Sequence, residues 1–154
     1  MNPLLKKLNC KTQQSVVVLH APKGFNDQIT DFQMFLNVKT NIDNDDIEFA
    51  LAFCTKLEEV EKYARAIDEK IVDDGLFWFA YPKKSSKKYS CEFNRDNGWD
   101  IMGALGYEPV RMVAIDEDWS ALRFRKATHI KTLKRDPSWI KSEEGKKKAL
   151  KNKK

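Results

Sequence analysis

One stretch narrows the possible folds more than any other. Between Asp46 and Tyr81 a strand pattern, a helix pattern and a second strand pattern follow one another. Asp46–Cys54 (DIEFALAFC) is apolar on both faces, as a strand covered by helices on each side must be. Thr55 and Glu58 have the spacing of a capping box, in which each side chain satisfies a free amide of the first turn. Leu57, Val60, Tyr63, Ala64, Ile67 and Ile71 then fall on one stripe of a helix. Gly75 reads as the helix stop, directly before the apolar run Leu76–Tyr81 (LFWFAY). A strand, a crossover helix and a strand in so short a span predict a right-handed βαβ unit with parallel strands.

The flanking segments extend that unit. Ser15–His20 (SVVVLH) reads as a buried strand that ends at the turn Ala21–Gly24, and Asn26–Phe32 as a short helix. Gln33–Lys39 is expected as a second strand, followed by a polar loop over 40–46. Beyond Tyr81, Pro82–Cys91 is a polar loop, and Asn94 is placed to cap a helix bearing Trp99, Met102 and Leu105. Val110–Ile115 reads as a buried strand. Trp119–Arg125 reads as its antiparallel return, with Arg123 and Arg125 on one face, as an edge strand would have them. The expected fold is therefore α/β: a three-layer, Rossmann-like, mostly parallel sheet with a C-terminal antiparallel hairpin, formed by residues 1–127 as one domain.

The segment from Leu76 to Lys126 resembles a bacterial family catalogued as a domain of unknown function. The pieces that carry the resemblance are the LFW…YPKKSSK strand and loop, the NRDNGWD segment and the EPVRMVAIDEDWSALRFR hairpin. It implies a compact α/β domain of bacterial origin and assigns no activity.

Charge divides the chain. Residues 123–154 hold 13 Lys or Arg against 3 Asp or Glu, a net of +10, within a chain whose net charge is +5. The remainder is therefore acidic, at −5. Residues 128–154 read as a basic tail, a short helix or disordered, and residues 123–154 as able to engage nucleic acid or another polyanion. The acidic body leaves a protein partner open. No run approaches the roughly 18 apolar residues of a membrane span, and the N-terminus has no apolar signal-peptide core. Three cysteines without paired spacing point to a reducing compartment, and so to the cytoplasm.

In open α/β sheets ligands bind beyond the carboxyl ends of the strands. Three loops there are candidates: His20–Phe25, Cys54–Lys56 and Pro82–Tyr89. In the last, Lys83, Lys84 and Lys87 supply charge, Ser85 and Ser86 supply hydroxyls, and a helix start near Arg95 would supply amides, which together suit an anion. His20, Lys23 and Gly24 complete the candidate set. No glycine-rich dinucleotide or P-loop pattern follows the first strand. A His20–Cys54 nucleophile pair is geometrically conceivable, but a strand-end cysteine is more often plain core. No metal-ligand spacing occurs. The leading expectation is thus a non-catalytic module that binds an anionic partner, with no catalytic residue and no specified cofactor. The alternative is a reduced Rossmann-like enzyme domain binding a small nucleotide or S-adenosyl-type metabolite around His20, Lys23 and Ser85.

Overall fold

In the computed structural model, residues 2–94 and 97–130 are described. Their strands form one six-stranded sheet in the order β2-β1-β3-β4-β6-β5. β1 (Ser15–Leu19), β2 (Asn37–Lys39), β3 (Ile47–Phe53) and β4 (Ile71–Pro82) run parallel, while β6 (Trp119–Lys126) is antiparallel to both β4 and β5 (Tyr107–Ala114).

Helices cover both faces, which accounts for the unbroken apolar runs in β3 and β4. α3 (Leu57–Asp68) and α4 (Asp100–Ala104) lie over one face, where Val60, Ala64, Ile67, Trp99 and Met102 meet Ala50, Phe77, Phe79 and Phe124. α1 (Pro3–Lys7) and α2 (Asn26–Phe32) lie over the other, where Leu4, Leu5, Leu8, Phe25 and Phe32 meet Phe49, Leu51, Phe53 and Trp78. Nothing in the sequence reading anticipated α1. Asn2 starts it by accepting hydrogen bonds from the amides of Leu4 (2.8 Å) and Leu5 (3.0 Å), and Trp78 Nε1 donates to the Leu8 carbonyl (3.0 Å). The Rossmann-like three-layer arrangement and its antiparallel hairpin are those expected.

Several local expectations are corrected. Glu59, not Glu58, reaches back at the start of α3: its Oε1 accepts from the amides of Thr55 (2.9 Å) and Lys56 (3.0 Å). Leu57 is half exposed, so the apolar stripe begins at Val60. Gly75 does not end the helix but lies inside β4, in a bulge over Val72–Gly75. There Asp74 is left-handed (φ 55°), and a Cβ on Gly75 would stand 2.8 Å from Ile71 Cγ1. The second strand is only Asn37–Lys39, because the chain continues as turns from α2 to Leu36. Asn94 does not cap α4; it exchanges amide hydrogen bonds with Asn97 (3.1 Å each way).

The largest correction concerns the hairpin. β6 is interior and β5 is the edge. Trp119, Ala121, Leu122 and Phe124 are buried on alternating faces of β6, whereas Arg111, Met112 and Ala114 of β5 are exposed. The two arginines made β6 look like an edge, yet Arg125 is held by Asp74 and Arg123 is half-buried between Trp78 and Arg111.

Candidate functional site

The parallel strands place three loops on one rim. Register aligns Leu19 with Ala52 and Phe53 with Ala80, so β1, β3 and β4 end side by side. The chain leaves β1 to form β2 on one side and returns to form β3 on the other. Strand order therefore reverses between β1 and β3, where open α/β sheets form their binding crevice.

His20 stands at that point. It is the first residue after β1 and is left-handed (φ 59°), a conformation that costs a side-chain-bearing residue roughly 1 kcal/mol. Its side chain is 52% exposed. Nδ1 lies 3.1 Å from the Phe53 carbonyl at the tip of β3 and 3.1 Å from Glu59 Oε2 on α3. Tyr63, one turn further along α3, faces the same ring at a centroid distance of 6.2 Å. Burial pushes the Glu59 carboxyl up, but the amides of Thr55 and Lys56 and the nearby His20 outweigh it and hold the group below the usual range, hence ionised. The following loop is anchored by Phe25, which packs against Phe53 at 4.8 Å, while Lys23 and Gly24 are exposed; a Cβ on Gly24 would meet nothing within 4 Å.

The two site residues missed in the sequence are thus Glu59 and Tyr63. The available signal was their spacing of one turn on a helix that follows the β3 tip.

The loop after β4 is arranged differently. Lys83 donates its amide to the Asp118 carbonyl (2.7 Å), and Ser86 Oγ donates to Asp118 Oδ1 (2.9 Å). Tyr89 packs on Trp119 at 4.9 Å. The loop is thereby fastened to the β5–β6 turn, whose Asp116, Glu117 and Asp118 bring negative charge to its lysines. Lys84, Ser85 and Lys87 are exposed, and among the described residues no ion pair joins them to the β1 loop. Arg95 lies outside the described residues, as do residues 131–154 of the basic tail. At the start of α3 three amides are already engaged. Those of Thr55 and Lys56 go to Glu59, and that of Leu57 goes to Glu92 Oε2 (3.0 Å).

Among the described residues no hydrogen bond joins His20 to Cys54; the contacts of the ring Nδ1 go to Phe53 and Glu59. Burial first, then Glu59 and Cys91, push the Cys54 thiol far up, away from a thiolate. Among the described residues no cluster of three or more His, Cys, Asp or Glu is arranged to hold a metal. No helix among them is long and apolar enough to cross a membrane.

A cavity of about 330 Å³ opens on the opposite rim, at the β4 bulge, lined by Asp68, Asp74, Tyr107, Phe124, Arg125 and Lys126. Its charged groups are already matched. Arg125 donates twice to Asp74 (2.9 and 2.7 Å), Tyr107 Oη donates to Asp68 (2.7 Å), and Lys126 lies 3.7 Å from Asp68. The first pair ties the bulge to β6, and the Asp68 contacts tie the end of α3 to β5 and β6.

Comparison with known proteins bears on the class of the fold. No family model matches the chain, and no curated protein matches it. Among solved structures, a protein assigned to the type 11 methyltransferases from Sulfolobus solfataricus is 9% identical over 80% of this chain and 89% of its own, with a TM-score of 0.54. The pyocyanin biosynthetic protein PhzM is 10% identical, with a TM-score of 0.52 over 79% of this chain and 53% of its own. The fold is therefore the α/β Rossmann-like fold found in a methyltransferase. The expectation of a non-catalytic anion-binding module is corrected. The fold neighbour is an enzyme-type domain, the Pro82–Tyr89 loop is bonded to an acidic turn, and three amides at the start of α3 are taken.

Proposed function

We propose that the chain is a reduced, methyltransferase-like domain that binds a small S-adenosyl-type metabolite in the crevice between the β1 and β3 tips. The observation that carries this is His20: a left-handed residue at the strand-order reversal, bonded across to β3 and facing an ionised carboxylate.

The chemistry of the crevice fits such a ligand better than a phosphorylated nucleotide. A pyrophosphate needs a glycine-lined turn and free helix amides, and here the turn carries an imidazole and the amides of Thr55, Lys56 and Leu57 are occupied. An S-adenosyl compound has no phosphate. Its ammonium and sulfonium charges suit Glu59, its carboxylate suits Lys23 and His20, and the space beside Gly24 leaves room for it. When bound, S-adenosylmethionine supplies an activated methyl group; the residues that would hold it are His20, Lys23, Glu59 and Tyr63.

Thermal denaturation with S-adenosylmethionine, S-adenosylhomocysteine, ATP and NAD tests the reading. A ligand at one hundred times its dissociation constant stabilises the fold by about 2.7 kcal/mol. The expected result is a rise in Tm with the S-adenosyl compounds, and none with NAD. Equal indifference to all four would overturn it.

A further inference from the structure

The contacts of His20 fix where its proton sits. Both groups near Nδ1, the Phe53 carbonyl and the ionised Glu59 carboxylate, only accept, so Nδ1 carries a hydrogen in the neutral as well as the charged ring. Nε2 then holds a lone pair. Among the described residues nothing bonds to it, and the side chain is 52% exposed at the crevice. A ring held in one tautomer by a carboxylate, with its other nitrogen bare at a binding crevice, is the arrangement of a general base. The strained φ of 59° has the same sense, since such outliers persist where the surroundings over-determine them and cluster at reactive sites.

We propose that His20 and Glu59 form a proton-accepting dyad. Nε2 of His20 takes a proton from an O–H or N–H group of a molecule in the crevice, and Glu59 acts as the positioning residue. In that step the X–H bond breaks, its electron pair stays on X, and a new N–H bond forms at Nε2. The imidazolium charge is balanced by the Glu59 carboxylate. Glu59 and Tyr63 of α3 are the titratable side chains facing the ring. The step deepens the S-adenosyl-type reading, resting on it only for what occupies the crevice, and assigns the site a second molecule with an acidic O–H or N–H.

The chain has two histidines, which makes the test direct. Diethyl pyrocarbonate acylates unprotonated imidazole nitrogen, and mass spectrometry separates His20 from His129. The Nε2 of His129 is engaged by Asp73 (2.8 Å), so it serves as the internal reference. The expected result is faster acylation of His20 than of His129, with nitrogen-15 shifts of the Nδ1–H tautomer in the full chain. In Glu59→Gln, which keeps a capping acceptor for α3, the Phe53 carbonyl remains at Nδ1 but the carboxylate is gone, so Nδ1–H should stay the major tautomer and a minor Nε2–H population should appear. The rate of His20 acylation at alkaline pH should fall, because a share of the rings then carries its hydrogen on the exposed Nε2. His20→Asn, which tolerates the left-handed backbone, should lose the signal without unfolding. An Nε2–H tautomer in the native chain, or an acylation rate of His20 unmoved in Glu59→Gln, would overturn the dyad even if an S-adenosyl compound binds. Conversely, a dyad that behaves as expected but is never protected by S-adenosylhomocysteine supports the base and removes the ligand class proposed above.

Discussion

The carboxyl rim has two halves that differ in how they are held. The half at β4 and β6 looks chemically rich, with its lysines and serines, yet its loop is fastened by Lys83 and Ser86 to Asp118 and by Tyr89 to Trp119. Just inside it sits a cluster of Phe79, Tyr81, Phe93, Trp99 and Phe124 rings, with centroids 5.0 to 6.0 Å apart. The half at β1 and β3 looks plain, with one histidine and one glutamate. It nevertheless holds the strained backbone, the ionised carboxylate and the half-exposed ring. Abundant charge on a rim is therefore a poor guide to the site. A group that is both constrained and left with an unused atom is a better one.

The packed half should fail first in stability. Trp99 is fully buried, touches four of those rings and donates from Nε1 to the Asn94 carbonyl (2.9 Å). Trp99→Ala should cost about 3–5 kcal/mol, read from urea unfolding. A loss below 1 kcal/mol, by the same scale, would mean that this half is not the rigid one.

The poised half should respond oppositely. His20→Gly relieves the left-handed strain, roughly 1 kcal/mol, and forfeits a hydrogen bond of similar worth, so global stability should barely move. The ligand-dependent gain of about 2.7 kcal/mol with saturating S-adenosylhomocysteine should vanish in the same variant. Should the gain survive, the crevice does not use this residue.

How much of this was legible differs between the halves for a physical reason. The β3–α3–β4 unit could be read because cap, stripe and strand patterns lie within neighbouring residues. The order β4-β6-β5 could not. Alternation in Trp119–Arg125 states which side chains share a face but not how many strands flank them, and Arg125 finds its partner Asp74 in a bulge far away in the chain. His20 was recognised as a strand-end residue in a binding rim. Its link to Glu59 depends on β1 and β3 being neighbours and on which of two adjacent glutamates caps α3, and only the folded chain decides that. The lysine-serine loop misled because composition cannot reveal that Asp118 lies opposite Ser86.

The opposite rim supplies a pH-dependent control. Hydrogen bonds from Arg125, then its charge, outweigh burial and hold the Asp74 carboxyl below its ordinary value of 3.8. A depressed folded value means that the contribution is complete above the unfolded value and is lost as pH falls through the folded one. With the pair 30% and 35% exposed, the contribution is about 1 kcal/mol or less. Asp74→Asn should lower the urea midpoint slightly at neutral pH, and the gap to the native chain should close below the carboxyl range. A gap that persists in acid would assign the effect to the bulge backbone instead of the ion pair.

The smallest effect is the most informative about the comparison. Replacing Lys84 and Lys87 by glutamine removes two exposed positive charges from a loop held by backbone and serine contacts that neither side chain makes. Surface substitutions of this kind change stability by less than about 0.5 kcal/mol. S-adenosyl binding should also be unchanged, because the loop stands one strand beyond the β1–β3 crevice. Isothermal titration of the double variant at two salt concentrations separates the cases. Unchanged affinity at both keeps the site at His20. Affinity that drops in the variant, and falls with salt in the native chain, would return the lysines to the ligand and move the site toward β4.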